Sequence, residues 1–275
     1  MSDVFRAFTD AIGKFGRNRG WMMSSHLAMS MMLALFPFVL FIVALAATLS
    51  QDVDIDNLIE LVFGSWPDEI AEPITSQVRQ VVDATDSRLL TVGGLLAIYF
   101  ASNGIDAVRL AMTSAYNETD TRPFWRSRLL SLLFVVLGGA GVLVATTLGL
   151  ALPLFIRFFG QAVPIEWIDW LASDTVNTLI PLTLMALGVL ACHVWLPGHQ
   201  HSVRQVLPGV VLTMVLWAVA GTGFSYYISS FASYSATYAG LAGVMAALIF
   251  LYLMSAILIL GAEFNAALAR RRNTA

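Results

Sequence analysis

Residues 241–268 read LAGVMAALIFLYLMSAILILGAEFNAAL, from Leu241 to Leu268, with one ionisable side chain, Glu263, late in the run. About 20 apolar residues in a helix span a hydrocarbon core of roughly 30 Å, and this run supplies more. Five further runs precede it: Leu27 to Leu49, Leu89 to about Tyr116, Leu129 to Phe155, Val176 to Leu196, and Val206 to Ile228. Composition points the same way, with 58% hydrophobic and 12% charged residues and a mean hydropathy of +0.76. A water-soluble core has no room for that much apolar surface. The runs predict an all-α polytopic membrane bundle of six transmembrane helices, forming a single integral membrane domain over 1–275.

Charge orients the bundle. Six spans place both termini on one side, and that side collects Arg6, Lys14, Arg17, Arg19, Arg122, Arg126, Arg128, Arg204, Arg270, Arg271 and Arg272. The opposite side holds Arg79, Arg88 and Arg157. Because loops rich in Lys and Arg stay in the cytoplasm, the expected topology is N-in and C-in. The first apolar stretch follows some twenty-five polar and mixed residues and is too long for the core of a signal peptide, so it is expected to remain as an anchor. A single cysteine, Cys192, permits no disulfide within the chain and sits in an apolar run as a small packing residue.

The one sizeable extramembrane segment is the outer, periplasmic insertion over 50–88. There Ile70, Ile74, Val78, Val81 and Val82 recur at helical spacing opposite Asp68, Glu69, Glu72, Arg79 and Asp83, which predicts an amphipathic helix after a shorter one from Ile55 to Phe63. These helices either pack on the outer mouth of the bundle or form a lid over a cavity. Gly141, Ala145 and Gly149 repeat every four residues in the third run, as close-packing helix seams do. Gly138-Gly139-Ala140-Gly141 is no phosphate loop, since neither a preceding strand nor a following Lys-Ser/Thr accompanies it.

Polar residues inside the runs carry the functional signal, because ionisable groups in a bilayer are costly. With the topology above, Ser24, Ser25 and His26, Asn103, Asp106 and Arg109, His193, and Glu263 with Asn265 share the cytoplasmic half of the membrane. Asp106 lies about 26 Å along the helix from Leu89, at 1.5 Å per residue. Asp106 and Arg109 are three apart and share a helix face, so they can pair, and Arg109 can equally meet Glu263. One reading makes this a structural lock between helices. The other makes it a cytoplasm-facing cavity where Arg109 binds an anionic headgroup, with Asn103 and His26 adding hydrogen bonds. His26 and His193 are also candidates for proton relay.

The blocks Ser24-Ser25-His26-Leu27-Ala28-Met29 through Pro37, Ser102-Asn103-Gly104-Ile105-Asp106-Ala107-Val108-Arg109, Arg122-Pro123-Phe124-Trp125-Arg126, and Tyr238 to Gly243 followed by Leu260-Gly261-Ala262-Glu263-Phe264-Asn265 resemble the YihY/BrkB family of bacterial inner-membrane proteins. The resemblance runs from about Ala7 to Ala267, with Asp106 where Glu is common and Ala239 where Gly is often seen. It implies a six-span protein of the bacterial cytoplasmic membrane, links to virulence or serum resistance, and a role in moving envelope lipids, without a defined catalytic reaction.

The family has also carried the label ribonuclease BN, to which the residues object. Metal-dependent RNA cleavage needs clustered His and carboxylate ligands and a basic surface. His199-Gln200-His201 is the only close histidine pair, and the arginines are confined to short flanking loops. No nucleophile-elbow pattern supports another hydrolase. The expectations are no catalytic residues, no metal, no cofactor and no nucleic-acid partner. The function expected is transport or flipping of an envelope lipid or other anionic amphiphile. The candidate substrate contacts are Arg109, Asp106, Asn103, His26, Glu263 and Asn265. A non-catalytic accessory role in the envelope is the alternative, and oligomeric state is left open.

Overall fold

The computed structural model describes residues 2–49, 75, 87–146, 174–231 and 241–274. Seven helices and no strands occur among them: α1 (Ser2–Arg17), α2 (Gly20–Leu49), α3 (Ser87–Ala115), α4 (Phe124–Thr146), α5 (Asp174–Trp195), α6 (Val203–Phe231) and α7 (Leu241–Thr274). Helices α2 to α7 stand at the six apolar runs. By length and composition, Phe124–Val144, Val203–Tyr227 and Val244–Arg272 are able to cross a membrane, and Pro181–Trp195 is a shorter apolar stretch. The outer insertion, with its expected helices over 55–63 and 68–83, lies outside the described residues apart from Thr75 and the start of α3, as does the end of the third run beyond Thr146.

The helix ends follow from local chemistry. α3 stops where Asn117 takes up the left-handed conformation (φ 58°). The Asn117 amide then bonds to the Ser114 carbonyl at 2.9 Å, and the Glu118 amide to the Thr113 carbonyl at 3.0 Å. This is the double closure of a Schellman turn, with Asn in place of the more usual Gly. α6 starts with a capping pair: Ser202 leads it, and Gln205 Oε1 reaches back to accept from the Ser202 amide at 3.1 Å. α2 begins at Gly20, ahead of the apolar run that starts at Leu27, and within its first turns Ser24 and Ser25 donate to the carbonyls of Gly20 and Trp21 at 2.7 and 3.2 Å. Those hydroxyls are satisfied by the helix itself and do not end it.

α2 packs along α3 and against α7, α6 pairs with α7, α4 lies against α3, and α1 crosses the C-terminal part of α7. Two glycine contacts bring backbones together. A Cβ on Gly104 would sit 2.9 Å from Ala34 Cβ, and one on Gly209 or Gly261 would run into the other's carbonyl oxygen. The seam expected at Gly141 is different: among the described residues nothing stands within 4 Å of an added Cβ there. The far end of that seam, at Gly149, lies outside what the structure describes, and the close helix-to-helix approaches among the described residues are those at Gly104, Gly209 and Gly261.

Among the described residues the core lies at the α1 end, where Leu27, Val108, Met112, Leu196, Val206 and Ile259 are buried together. Large apolar side chains also cover the outside: Leu33 is 70% exposed, Leu95 64% and Val219 63%. An apolar girdle around a small packed centre suits a lipid solvent, and in water so continuous an apolar surface would drive association.

Candidate functional site

The polar residues gather at the α1 end in three separate groups. In the first, Arg109 is almost fully buried between two aspartates. Its Nε donates to Asp106 Oδ1 at 2.9 Å, one turn earlier on α3, and its Nη1 donates to Asp120 Oδ2 in the α3–α4 loop. Asp120 is held in turn by the Arg122 amide, which donates to Asp120 Oδ1 at 3.0 Å. Arg122 fans across the end of α5, donating to the carbonyls of Trp195 at 3.2 Å, of Leu196 and Gly198 at 3.4 Å, and of Pro197. A cation at this place meets the carbonyls a helix C-terminus leaves unpaired and the negative end of its dipole.

Beside this lock lies a cavity of about 340 Å³ lined by Asp106, Arg109, Leu110, Asp120, Arg122, Phe124, Ser127 and Arg128. Arg128, on α4, points across it. Its Nη1 donates to Asn103 Oδ1 at 2.8 Å, its Nη2 to the Tyr99 carbonyl at 2.7 Å, and its guanidinium carbon sits 4.0 Å from the Tyr99 ring centre. Two of its five N–H donors are thus used, and among the described residues no carboxylate neutralises it.

Asn265 centres the second group, and it is 2% exposed. Its Oδ1 accepts from the Gly209 amide at 2.7 Å, and its Nδ2 donates to the Val206 carbonyl at 2.8 Å and to Tyr116 Oη at 3.1 Å. Both backbone partners flank Pro208, which interrupts the ladder of α6, so the side chain serves backbone where the helix is weakest. Tyr116 Oη lies 3.0 Å from His193 Nδ1. Tyr116 also stacks on His201, ring centres 4.3 Å apart. Glu118 joins this edge, with Oε1 3.0 Å from His201 Nε2 and Oε2 accepting from the His199 amide at 2.9 Å.

The third group is Glu263 beneath α1, 1% exposed, with Oε1 accepting from Asn18 Nδ2 at 2.6 Å. Glu263 Oε2 has no hydrogen-bond partner among the described residues.

The expected site residues are therefore divided. Asp106 and Arg109 pair as expected, but Arg109 turns to Asp120 and not to Glu263. Asn103 serves Arg128. Asn265 belongs to the Tyr116–His193 group, and Glu263 to the α1 contact. His26 does not join: it is exposed on α2 and makes no hydrogen bond or ion pair with the described residues. Its spacing explains this, since Ser24 and Leu27 take the buried face of α2 and leave His26 outward. Reading the runs alone missed Asp120, Arg122, Arg128 and Tyr116. The first three lie in or next to the α3–α4 loop, where arginines had counted only as topology markers; the Arg122-Pro123 block was the available signal.

Among the described residues no three His, Cys, Asp or Glu side chains converge where a metal ion would sit. An all-helical chain with an apolar girdle, membrane-length helices and polar groups sealed between them is an integral membrane protein. The family model for virulence factor BrkB matches residues 11–275, and the chain belongs to that family. A putative ribonuclease-like protein, YfkH, of Bacillus subtilis is 30% identical over 96% of this chain and 95% of its own length. UPF0761 membrane proteins are similar as well: that of Tolumonas auensis is 29% identical over 66% of this chain and 58% of its own, and that of Aggregatibacter aphrophilus 20% identical over 94% and 91%. No solved structure matches. The UPF0761 relatives are named as membrane proteins, and neither their names nor the family's description defines a reaction.

Proposed function

We propose that this chain is a six-span protein of the bacterial cytoplasmic membrane, both termini in the cytoplasm, which admits the headgroup of an anionic lipid or other amphiphile to the cavity beside Arg109 and takes part in its movement across the membrane. The observation that carries this reading is the charge balance of the cavity. Three guanidinium groups, Arg109, Arg122 and Arg128, line it against two carboxylates, Asp106 and Asp120. Both carboxylates are committed to Arg109 and Arg122, so the surplus charge belongs to Arg128, with N–H donors to spare. A phosphate suits a planar guanidinium held over an aromatic ring. The headgroup contact thus moves from Arg109 to Arg128, and Arg109 becomes the lock that shapes the wall.

The test is transbilayer movement of a fluorescent phosphatidylglycerol analogue in proteoliposomes, comparing native protein with Arg128→Gln after both are shown to be folded and inserted. Losing a charge-assisted contact of about 1.5–3 kcal/mol corresponds to a drop of about tenfold or more. Equal movement by native protein and variant removes Arg128 from the site. No movement of any lipid in a broad panel favours a second reading, a non-catalytic accessory protein of the envelope, which the neutralised state of Arg109 also suits.

A further inference from the structure

The amphipathic helix α1 presents two different apolar edges. Ala7 and Ala11 are fully buried against Phe264 and Ala267 of α7, with Phe8 edge-on to Phe264 at 6.3 Å. Phe5 and Ile12 are 69% and 50% exposed, and Val4 is 57% exposed. At about 100° per residue, Phe5 and Ile12, seven apart, project together, while Asp10, Lys14 and Arg17 fall on the far side. The docked edge accounts for the fold. The bare edge is left with no partner among the described residues.

Two observations identify what covers it. First, the edge continues into the lipid-facing surface. α1 turns into α2 through Arg19 in the left-handed conformation (φ 57°), and Trp21 follows, exposed and stacked on Tyr252 with ring centres 6.3 Å apart. Trp and Tyr concentrate at membrane–water interfaces, which puts this turn at headgroup level. Below it Met22, Met29 and Leu33 share one exposed face of α2. Second, the charge is one-sided. Arg6, Lys14, Arg17 and Arg19 from the start of the chain meet Arg270, Arg271 and Arg272 from its end, and the acids of α1 are Asp3 and Asp10. Asp10 is taken by Arg271 at 2.5 Å.

We infer that α1 is an interfacial helix whose partner is an anionic phospholipid surface, with Phe5 and Ile12 sunk to the acyl-chain boundary and the basic residues of both chain ends at the phosphates. A helix with Phe and Ile on one side and Arg and Lys on the other lies in this plane, and each basic residue near such a leaflet adds to its hold. This reading is independent of the cavity, since no residue of α1 lines it.

The experiment uses the full chain with Cys192→Ala in nanodiscs, carrying a nitroxide at Phe5→Cys, Ile12→Cys or Arg17→Cys in turn. In phosphatidylglycerol discs, labels at positions 5 and 12 are expected to be relaxed several-fold more by oxygen than by a water-soluble nickel complex, and the label at position 17 to show the reverse. Phosphatidylcholine discs should weaken the contrast. If all three labels meet the nickel complex equally in phosphatidylglycerol, α1 faces water and the inference fails; a contrast indifferent to lipid charge overturns the anionic assignment. Amide exchange of the native chain over residues 4–12, expected to be slower in phosphatidylglycerol than in phosphatidylcholine discs, repeats the test without substitution, and equal rates count against it.

Discussion

Replacing Asn265 with Ala should be among the most damaging single changes to this bundle, and the structure allows the size to be worked out. The side chain makes two short bonds to backbone, with the Gly209 amide at 2.7 Å and the Val206 carbonyl at 2.8 Å, and a third to Tyr116 Oη at 3.1 Å. Side-chain hydrogen bonds inside membrane proteins average only about 0.6 kcal/mol, which would put the loss near 2 kcal/mol. That average assumes the partners find replacements. Here they do not, because Gly209 and Val206 are buried beside Pro208, and a buried backbone group left unpaired costs about 1–3 kcal/mol. The expected loss is therefore about 2–4 kcal/mol, with the orphaned Gly209 amide the larger part. Reversible unfolding in mixed micelles, titrated with a denaturing detergent, measures it. His26→Ala, exposed and without a hydrogen bond among the described residues, is the control and should stay within about 0.5 kcal/mol of native. If Asn265→Ala also falls within about 1 kcal/mol of native, its contacts are not structural and the separation of Asn265 from the cavity fails.

The same titration tests the glycines in opposite directions. Gly209→Ala drives a methyl into the Gly261 carbonyl and should cost about 1–3 kcal/mol, whereas Gly141→Ala, with no described atom within 4 Å of the added Cβ, should be neutral or gain up to about 1 kcal/mol from helix propensity. Asp10 gives a pH signature. The hydrogen bond from Arg271 holds its carboxyl below the ordinary value, so the contact favours docking of α1 at all pH above the ordinary carboxylate pKa of about 3.9 and is lost as pH falls through the lower, docked value. Nitroxide mobility at Thr9→Cys should accordingly rise on acidification below about pH 4, and Asp10→Asn should remove that rise while starting from the more mobile level.

Much of the helix plan was legible because membrane length is a local property. A run such as Leu241 to Leu268 satisfies its own backbone and needs no partner to declare itself, so its position could be read from hydropathy. Asp106 and Arg109 were legible for a similar reason, being one turn apart on one helix. Asn265 was visible as a polar residue in an apolar run, but not its work, since Gly209 and Val206 are far away along the chain and only the crossing of α6 on α7 brings them within reach. His26 looked as good a candidate as His193 on paper. One faces outward and the other is sealed, a difference of rotation about two helices that neither apolar run encodes strongly.

By itself, then, the sequence determined that this is a helical membrane protein with long apolar helical segments and ionisable groups too costly to be casual. Tertiary structure alone decided which groups meet. It put Asp120 on Arg109, released Arg128 as the cavity's surplus cation, and bound Glu263 to Asn18. The physical reason is that burial in a bilayer is set by each segment's own solvent preference, whereas the pairing of charges depends on helix rotation and loop closure, and those are settled only when the helices pack together.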